Sequence, residues 1–470
     1  MKRTYPFRLA STAGATLVLF SLSQGNAPGV VAVAQSDQAA SGSRAVVLIS
    51  LDGFPARALD DPQLPAPNLR ALMAGGSSAS GMRTVNPSVT WPSHTTFVTG
   101  VPPADHGVLF NGMLIREPGV LPKIEPWRDK RDMVRVETVY DAAHRAGLTT
   151  AQVNWVAIHN PGTITWAFEE RPDPSGTVAR ELIASGRVTV DEIAGFASRN
   201  VVWKDQTWTS AAVHIIERHQ PGLLLLHLLT LDSAHHRYAS GSPAAYAAIG
   251  FLDAQLGRVI DAVQRSPKKD RTTLLVVSDH GFKAASRSVR PNAMLRKAGL
   301  LAVDAAGKIA SGDAFVISEG GTAMVYALGA NRAELVAKLS QLFRGAPGIE
   351  RVLEPSEYAA LGYPVPDVNA QMGDLVLVAV EGHSFSGAAD GSDVVDTPQP
   401  AGFHGALNTD PLMDSIFVAS GEGIRTGVRV DRIFAEQVAP TISALLGLRL
   451  PAAAGAPVTG ILTPGVPRRR

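Results

Sequence analysis

Thr90 lies in the stretch Asn86–Asn111, NPSVTWPSHTTFVTGVPPADHGVLFN. Pro87 and Pro92 each remove a backbone donor and restrict the residue before them, so the start of this stretch reads as a loop. After Pro92, SHTTFVTG is predicted as a helix, with Ser93 as its N-cap and Gly100 as its stop. A hydroxyl just ahead of a helix N-terminus faces orphan N–H groups and the positive end of the dipole, which together favour an anion such as phosphate. Taken alone, a loop threonine does no more than satisfy its own turn.

Three aspartates shift the balance toward chemistry. Asp52, Asp232 and Asp279 each end an apolar run, and two of them have histidines nearby: His235 and His236 after Asp232, and His280 directly after Asp279. With no cysteine in the chain, thiolate sites are excluded, and an Asp/His set is what can bind a borderline-soft ion such as Zn²⁺. Asp232 and His236, four apart, share a face if the backbone turns helically there, while spacing leaves His235 as a competitor. The triplet Asp-His-Gly occurs at Asp105–Gly107 and at Asp279–Gly281. Only the second follows a strand-like run, so it is assigned to metal and the first to loop structure. His94, His144, His159, His214, His219, His227 and His383 read as structural or surface residues, with His94 set apart because it follows Thr90 by one helical turn.

These residues need a scaffold that brings distant strand ends together. Arg44–Ser50, Gly222–Leu231 and Thr272–Ser278 are continuous apolar runs of the kind buried on both faces of a parallel sheet. Between them, helices are predicted at Pro67–Gly75, Glu137–Ala146, Ser210–Arg218 and from Ser242-Pro243 onward, with a further strand at Leu148–Val153. The expected fold is α/β, a mostly parallel sheet flanked by helices, with the three aspartates along its C-terminal edge, where such sheets bind ligands. From 282 to 399 the texture changes to a smaller inserted α/β segment, with strands at Thr322–Leu328, Ile349–Leu353 and Asp374–Val380, a helix at Arg332–Phe343 and loops over Ser384–Pro400. The core resumes over 400–450 with His404 in Ala401–Ala406, a strand at Asp414–Ala419 and a closing helix at Glu436–Leu446. Residues 451–470 form a tail.

The chain of 470 residues is 45% hydrophobic and carries 43 Lys and Arg against 42 Asp and Glu, so no basic surplus points to a nucleic-acid polymer. Residues 1–34 have the order of a secretory signal: Lys2, Arg3 and Arg8, an apolar stretch, then Ala32-Val33-Ala34. The apolar part is too short for a membrane span, so export to the periplasm or exterior without a stable membrane anchor is expected.

Taken in order, NPSVTWPSHTTFVTG, Asp52, the Asp232–His236 pair, Ser278–Gly281 and Gly402–Gly405 resemble the nucleotide pyrophosphatase/phosphodiesterase branch of the alkaline phosphatase superfamily. The resemblance covers roughly Ala45 to Leu450, with 282–399 placed like that family's cap. It implies an alkaline-phosphatase-like fold and two zinc ions, one held by Asp232, His236 and His404, the other by Asp52, Asp279, His280 and Thr90. It further implies Thr90 as the nucleophile, a covalent phospho-threonine, and Asn111 as an amide donor to a nonbridging phosphate oxygen.

Three aspartates and a Thr90 alkoxide formally balance two Zn²⁺, which suits a diester monoanion better than a monoester dianion. Related threonine-type phosphomonoesterases add a Lys and an Arg, whereas the corresponding Asn154–Gly162, NWVAIHNPG, has no cation. Sulfatases are excluded, since their C/S-x-P-S-R pattern is replaced by Thr90-Trp91-Pro92-Ser93-His94. The expected substrate is a small phosphodiester or nucleotide, with Trp91 and Trp155 either stacking it or simply packing. Phosphomonoester hydrolysis and phosphonoacetate-type C–P cleavage are the alternatives. A non-enzymatic metal-binding protein would show a missing nucleophile or ligand, and none is missing.

Overall fold

The computed structural model describes residues 44–117 and 120–466; the expected leader at 1–34 falls outside them. The described residues form one compact unit. Its main sheet has eight strands: β1 (Ala45–Leu51), β2 (Ser77–Ala79), β3 (Thr150–Val153), β4 (Trp166–Phe168), β5 (Leu223–Leu228), β6 (Thr272–Val277), β7 (Phe417–Gly421) and β8 (Val428–Val430). Their order is β8-β2-β7-β6-β1-β5-β3-β4. Only β7 runs antiparallel to its neighbours. All seven residues of β1 are buried, as a strand covered on both faces requires.

The two-residue period of β1 feeds two separate cores. Val47, Ile49 and Leu51 join the helices Pro67–Gly75, Val201–His219 and Pro243–Arg265. Val46 and Leu48 join the helices Thr90–Thr99, Val139–Arg145 and Val438–Leu446. The result is a three-layer sandwich, helices on both faces of a sheet. In the register, Val46 is opposite Leu223 and Ala45 opposite Thr272. The segments following β1, β5 and β6 therefore emerge together at one edge.

Three local expectations differ from the structure. The helix expected to begin at Ser93 begins at Thr90, with Val89 at its N-cap position. Pro92 falls in the first turn, where its missing N–H would have no helical partner in any case, so it does not delay the helix. The strand expected over Gly222–Leu231 stops at Leu228, and a helix runs over Thr230–Tyr238. The cause is the buried carboxylate of Asp205, which accepts from Leu229 N (3.0 Å), Thr230 N (2.8 Å) and Thr230 Oγ1 (2.6 Å) and so caps this helix from outside. Burial, partly offset by these hydrogen bonds, raises the Asp205 carboxyl to about 6.

The third difference is at Ser384–Pro400, expected as loops. Val394–Phe403 is a ten-residue strand paired antiparallel with Lys283–Val289, Lys283 opposite Phe403. This ribbon joins the main sheet to a second, four-stranded antiparallel sheet in the order Ala314–Ser318, Thr322–Ala327, Leu375–Ala379, Ile349–Leu353. Helix Arg332–Phe343 packs on that sheet through Leu339 and Phe343.

Because three donors at the start of the Thr230 helix converge on Asp205, Asp205→Ala is expected to lower stability by about 2–4 kcal/mol. Urea unfolding checks this, and an unchanged midpoint would remove Asp205 from the capping role.

Candidate active site

The Thr90 helix is buried throughout, and Thr90 is its first residue. Val89 offers no side-chain oxygen to the first turn, so other groups meet its donors. Trp91 N–H donates to Asn111 Oδ1 (2.9 Å), which fixes the exposed Asn111 amide beside Thr90. His94 Nδ1 donates to Thr90 O (2.8 Å) and stands 3.7 Å from Asp279 Oδ2, tying the helix to the edge of β6. Burial lowers His94 below its ordinary value despite Asp279 beside it.

The aspartates and histidines gather into two groups. Asp52, Asp279 and His280 form one, and Asp232, His236 and His404 the other, the ligand-type atoms of each lying within 4.8 Å of one another; His94 and His227 stand as close to Asp279 and make a third, overlapping set. His280 Nε2 is 3.3 Å from Asp279 Oδ2 and 3.5 Å from Asp52 Oδ1. His236 Nε2 is 3.3 Å and His404 Nε2 3.9 Å from Asp232 Oδ1. The groups adjoin, since the His280 and His404 rings stack at 3.8 Å with 13° between planes.

All three rings are oriented alike. Each directs Nδ1 to a backbone carbonyl: His236 to Gly402 (3.2 Å), His404 to Ser88 (3.1 Å) and His280 to Gly281 (3.2 Å). That leaves Nε2 of each facing carboxylates as an acceptor, the tautomer a metal ion requires. His235 is turned away: its Nδ1 is 3.1 Å from Gly53 O and it joins neither group.

Asp52 Oδ1, Asp232 Oδ1, Asp279 Oδ2 and His280 Nε2 are buried without a hydrogen-bond partner. Buried polar atoms left unpaired cost several kcal/mol each, so four converging on one place mark a site shaped for cations. Burial, then Asp279 and Asp232, push the Asp52 carboxyl well up. Burial also opposes ionisation of Asp279, but His280, His94 and His227 hold it low. Divalent ions bound between the groups would relieve this repulsion, and a mixed carboxylate and imidazole donor set fits Zn²⁺.

Several contributors carry no motif of their own. Phe282 packs edge-on against His235, His236, His280 and His404 with ring centroids 4.8–5.6 Å apart, an apolar pillar that fixes four imidazoles. His227, expected to be structural or at the surface, is buried in β5 with Nε2 2.9 Å from Asp52 Oδ2. Its position within the apolar run, the only histidine there, is the signal available in the sequence. Asp105 and His106, expected as loop, close a one-turn helix, and His106 Nε2 meets Thr96 Oγ1 at 3.0 Å. That pair is not among the ligand groups.

Trp91 and Trp155 are buried and line one cavity with Trp127, Met133 and Val156. The stretch forming its floor is conformationally unusual, with Asn154, Ala157 and Asn160 at φ 54°, 50° and 46°. Non-glycine residues rarely adopt such values, and they concentrate at functional sites. No Lys or Arg lines the cavity among the described residues.

A mostly parallel sheet flanked by helices is an alkaline-phosphatase-like fold, and the paired Asp/His groups on its C-terminal edge, beside a hydroxyl at a helix N-terminus, form a candidate metal centre. Residues 46–407 match the type I phosphodiesterase / nucleotide pyrophosphatase family, and the chain belongs to it. Members of this family hydrolyse phosphodiester bonds. The chain is 26% identical to human ectonucleotide pyrophosphatase/phosphodiesterase family member 7 over 279 residues, 58% of this chain and 55% of that protein. It is thus similar to about half the length of that relative. An uncharacterized pyrophosphatase/phosphodiesterase of Schizosaccharomyces pombe is 24% identical over 401 residues, 81% of this chain and 72% of that one. Among solved structures, murine ectonucleotide pyrophosphatase/phosphodiesterase 5, an inactive threonine-to-alanine variant in complex with AMP, superposes with a TM-score of 0.68. That match has 20% identity and covers 89% of this chain and all of the other.

Since the unpaired carboxylates repel in the absence of cations, zinc at 100 times its dissociation constant is expected to stabilise the protein by about 2.7 kcal/mol. Thermal unfolding with ZnCl₂ and with EDTA measures this. Asp52→Asn combined with Asp279→Asn should reduce the response without removing what the Asp232, His236 and His404 group contributes, and an undiminished response in the double variant would place the ion elsewhere.

Proposed function

We propose that the protein is a zinc-dependent phosphodiesterase or nucleotide pyrophosphatase that acts on small phosphodiesters or nucleotides through a phospho-threonine at Thr90. The observation that carries this is the position of Thr90 at the first turn of a buried helix, latched by His94 to the Asp279 carboxylate group. Asp52, Asp279, His280 and Thr90 would hold one zinc ion, and Asp232, His236 and His404 the other. When bound, the two ions supply positive charge that favours an ionised hydroxyl and a departing oxyanion.

The residues of the chain then divide the work. Thr90 Oγ1 attacks phosphorus as its P–O bond to the leaving group breaks, and the proton lost by Thr90 ends on the leaving oxygen or in solvent. Water then cleaves the Thr90–phosphate bond and restores the hydroxyl. Asn111, its Oδ1 held by Trp91 N–H, keeps its Nδ2 donors for a nonbridging oxygen, a type of contact worth about a few kcal/mol. His227 braces Asp52 from behind, and Phe282 packs edge-on against the His280 ring.

A diester is favoured over a monoester because the cavity beside Thr90 has no cation but does have Glu169 and Glu170. A second negative charge on the substrate would be uncompensated there. Trp91 and Trp155 are proposed to receive the leaving group or base, and residues 282–399 to act as the cap that bounds the site. Export is supported by the order of residues 1–34; among the described residues no helix is long and apolar enough to cross a membrane.

Hydrolysis of a nitrophenyl phosphodiester and the matching monoester tests the reading. A strong diester preference is expected, with kcat lowered about 10³-fold or more in Thr90→Ala, since the covalent route is lost. A monoester preference, or full activity in Thr90→Ala, would overturn it. Asn111→Ala should lower kcat about 10²-fold with little change in KM, the pattern of a contact made in the transition state. Trp155→Ala should instead raise KM for aryl and nucleotide diesters; an unchanged KM would assign Trp155 to packing.

A further inference from the structure

A second cluster of ligand-type side chains lies at the other edge of the sheet. Glu181, on the helix Thr177–Ala184, faces His214 and His219 near the end of the helix Val201–His219. Their ligand-type atoms lie within 4.8 Å of one another. Glu181 Oε2 is 2.8 Å from His214 Nε2 and 2.7 Å from His219 Nε2, so both rings converge on a single carboxylate oxygen. Burial pushes the Glu181 carboxyl up, but the hydrogen bonds from His219 and His214 outweigh it and hold the group below its ordinary value.

The cluster is remote from the catalytic groups. Asp205, near the start of the same helix, touches Leu229 and Thr230 at the C-terminal edge of β5. His219 is fourteen residues further on, about 21 Å along the helix axis at 1.5 Å per residue, and lies four residues before the opposite end of β5 at Leu223. Trp166, the first residue of edge strand β4, stacks flat on the His219 ring at 3.7 Å with 16° between planes and fixes its orientation.

We propose that Glu181, His214 and His219 form a metal site distinct from the catalytic centre, for a divalent transition cation of the zinc class. Two imidazole nitrogens and one carboxylate oxygen make three of the four ligands of a tetrahedral ion, and water completes the set. Bonds of about 2.0–2.1 Å place tetrahedral ligands about 3.3 Å apart, so the cluster would open by about 0.5 Å to admit the ion. Both rings present Nε2, and the proton each neutral ring must retain then resides on Nδ1. The ion would clamp the helix end and the Thr177–Ala184 helix to the sheet's edge strand. No reacting group lies near it, so its role is structural.

The test is the zinc content per chain, measured after dialysis of the full chain against zinc and removal of free metal. His214→Gln combined with His219→Gln should bind one zinc fewer than wild type while nitrophenyl diester hydrolysis stays within about twofold. The difference is read whatever the catalytic centre holds, so failure of the phosphodiesterase reading would not be mistaken for failure here. Glu181→Gln, which keeps the side-chain shape, should weaken zinc at this site about tenfold or more with unchanged circular dichroism, and it decides the matter if the double variant does not fold. Equal zinc content in wild type and variants would leave a hydrogen-bonded cluster only. Loss of zinc and activity together would show that the site is not separate. Either result overturns the proposal.

Discussion

Asp52, Asp232 and Asp279 bring three carboxylates to one buried edge of the sheet, close enough that Asp279 and Asp232 both push the Asp52 carboxyl upward. Two like charges about 4 Å apart at an effective dielectric near 20 repel by about 4 kcal/mol. Among the described residues the ion-pair partners of these carboxylates are histidines: His227 and His280 for Asp52, His236 and His404 for Asp232, and His94 and His280 for Asp279. The residues around the site instead hold the charge in place. Gly53 N–H and His280 N–H donate to Asp279 Oδ1 at 3.0 and 3.1 Å, and His227 Nε2 stands 2.9 Å from Asp52 Oδ2. Each of these two carboxylates is thus satisfied on one oxygen and left bare on the other.

The histidines are placed by the ribbon Lys283–Val289/Val394–Phe403. His280 lies just before its first strand and His404 just after its last, and pairing of Lys283 with Phe403 closes the gap between them. Close backbone approach locks that geometry: a Cβ on Gly402 would stand 2.2 Å from His235 O, and one on Gly405 1.6 Å from Glu319 O. The second contact belongs to the turn ahead of the strand Thr322–Ala327. The four-stranded sheet is therefore anchored at the same point as a ligand-type histidine, and movement of one bears on the other.

How much of this could be read from the chain follows from the range of each interaction. The aspartates were legible because each ends a run buried on both faces, and parallel strands deliver their ends to one edge whatever the loops do. His404 was legible as returning to the sheet's edge ahead of the last apolar run, but its neighbours were not, since they depend on the pairing of VVDTPQPAGF, whose prolines and polar residues give no strand signal. Gly222–Leu231 misled for a related reason: apolarity continues to Leu231, and the strand ends early because a carboxylate from another helix, Asp205, caps the next one. Phe282 and His227 act only through contacts across the fold. His235 and His236 could be separated only when the Thr230 helix fixed which of them faces Asp232.

The first turn of the Thr90 helix leaves one backbone donor unmet. Trp91 N–H is taken by Asn111, Pro92 has no N–H, and Ser93 N–H donates to Val89 O at 3.2 Å. Among the described residues no acceptor meets the N–H of Thr90 itself. A helix N-terminus completed at every donor but one, with that one on the residue proposed as nucleophile, suits an oxygen that arrives with a ligand. In the proposed reaction this is a nonbridging phosphate oxygen, which would also meet the Nδ2 of Asn111. Ser or Asp at position 89 would cap the helix better and stabilise it locally, but a side-chain oxygen there would compete for the donors that the anion needs. Val89 is consistent with a helix whose missing cap is the substrate.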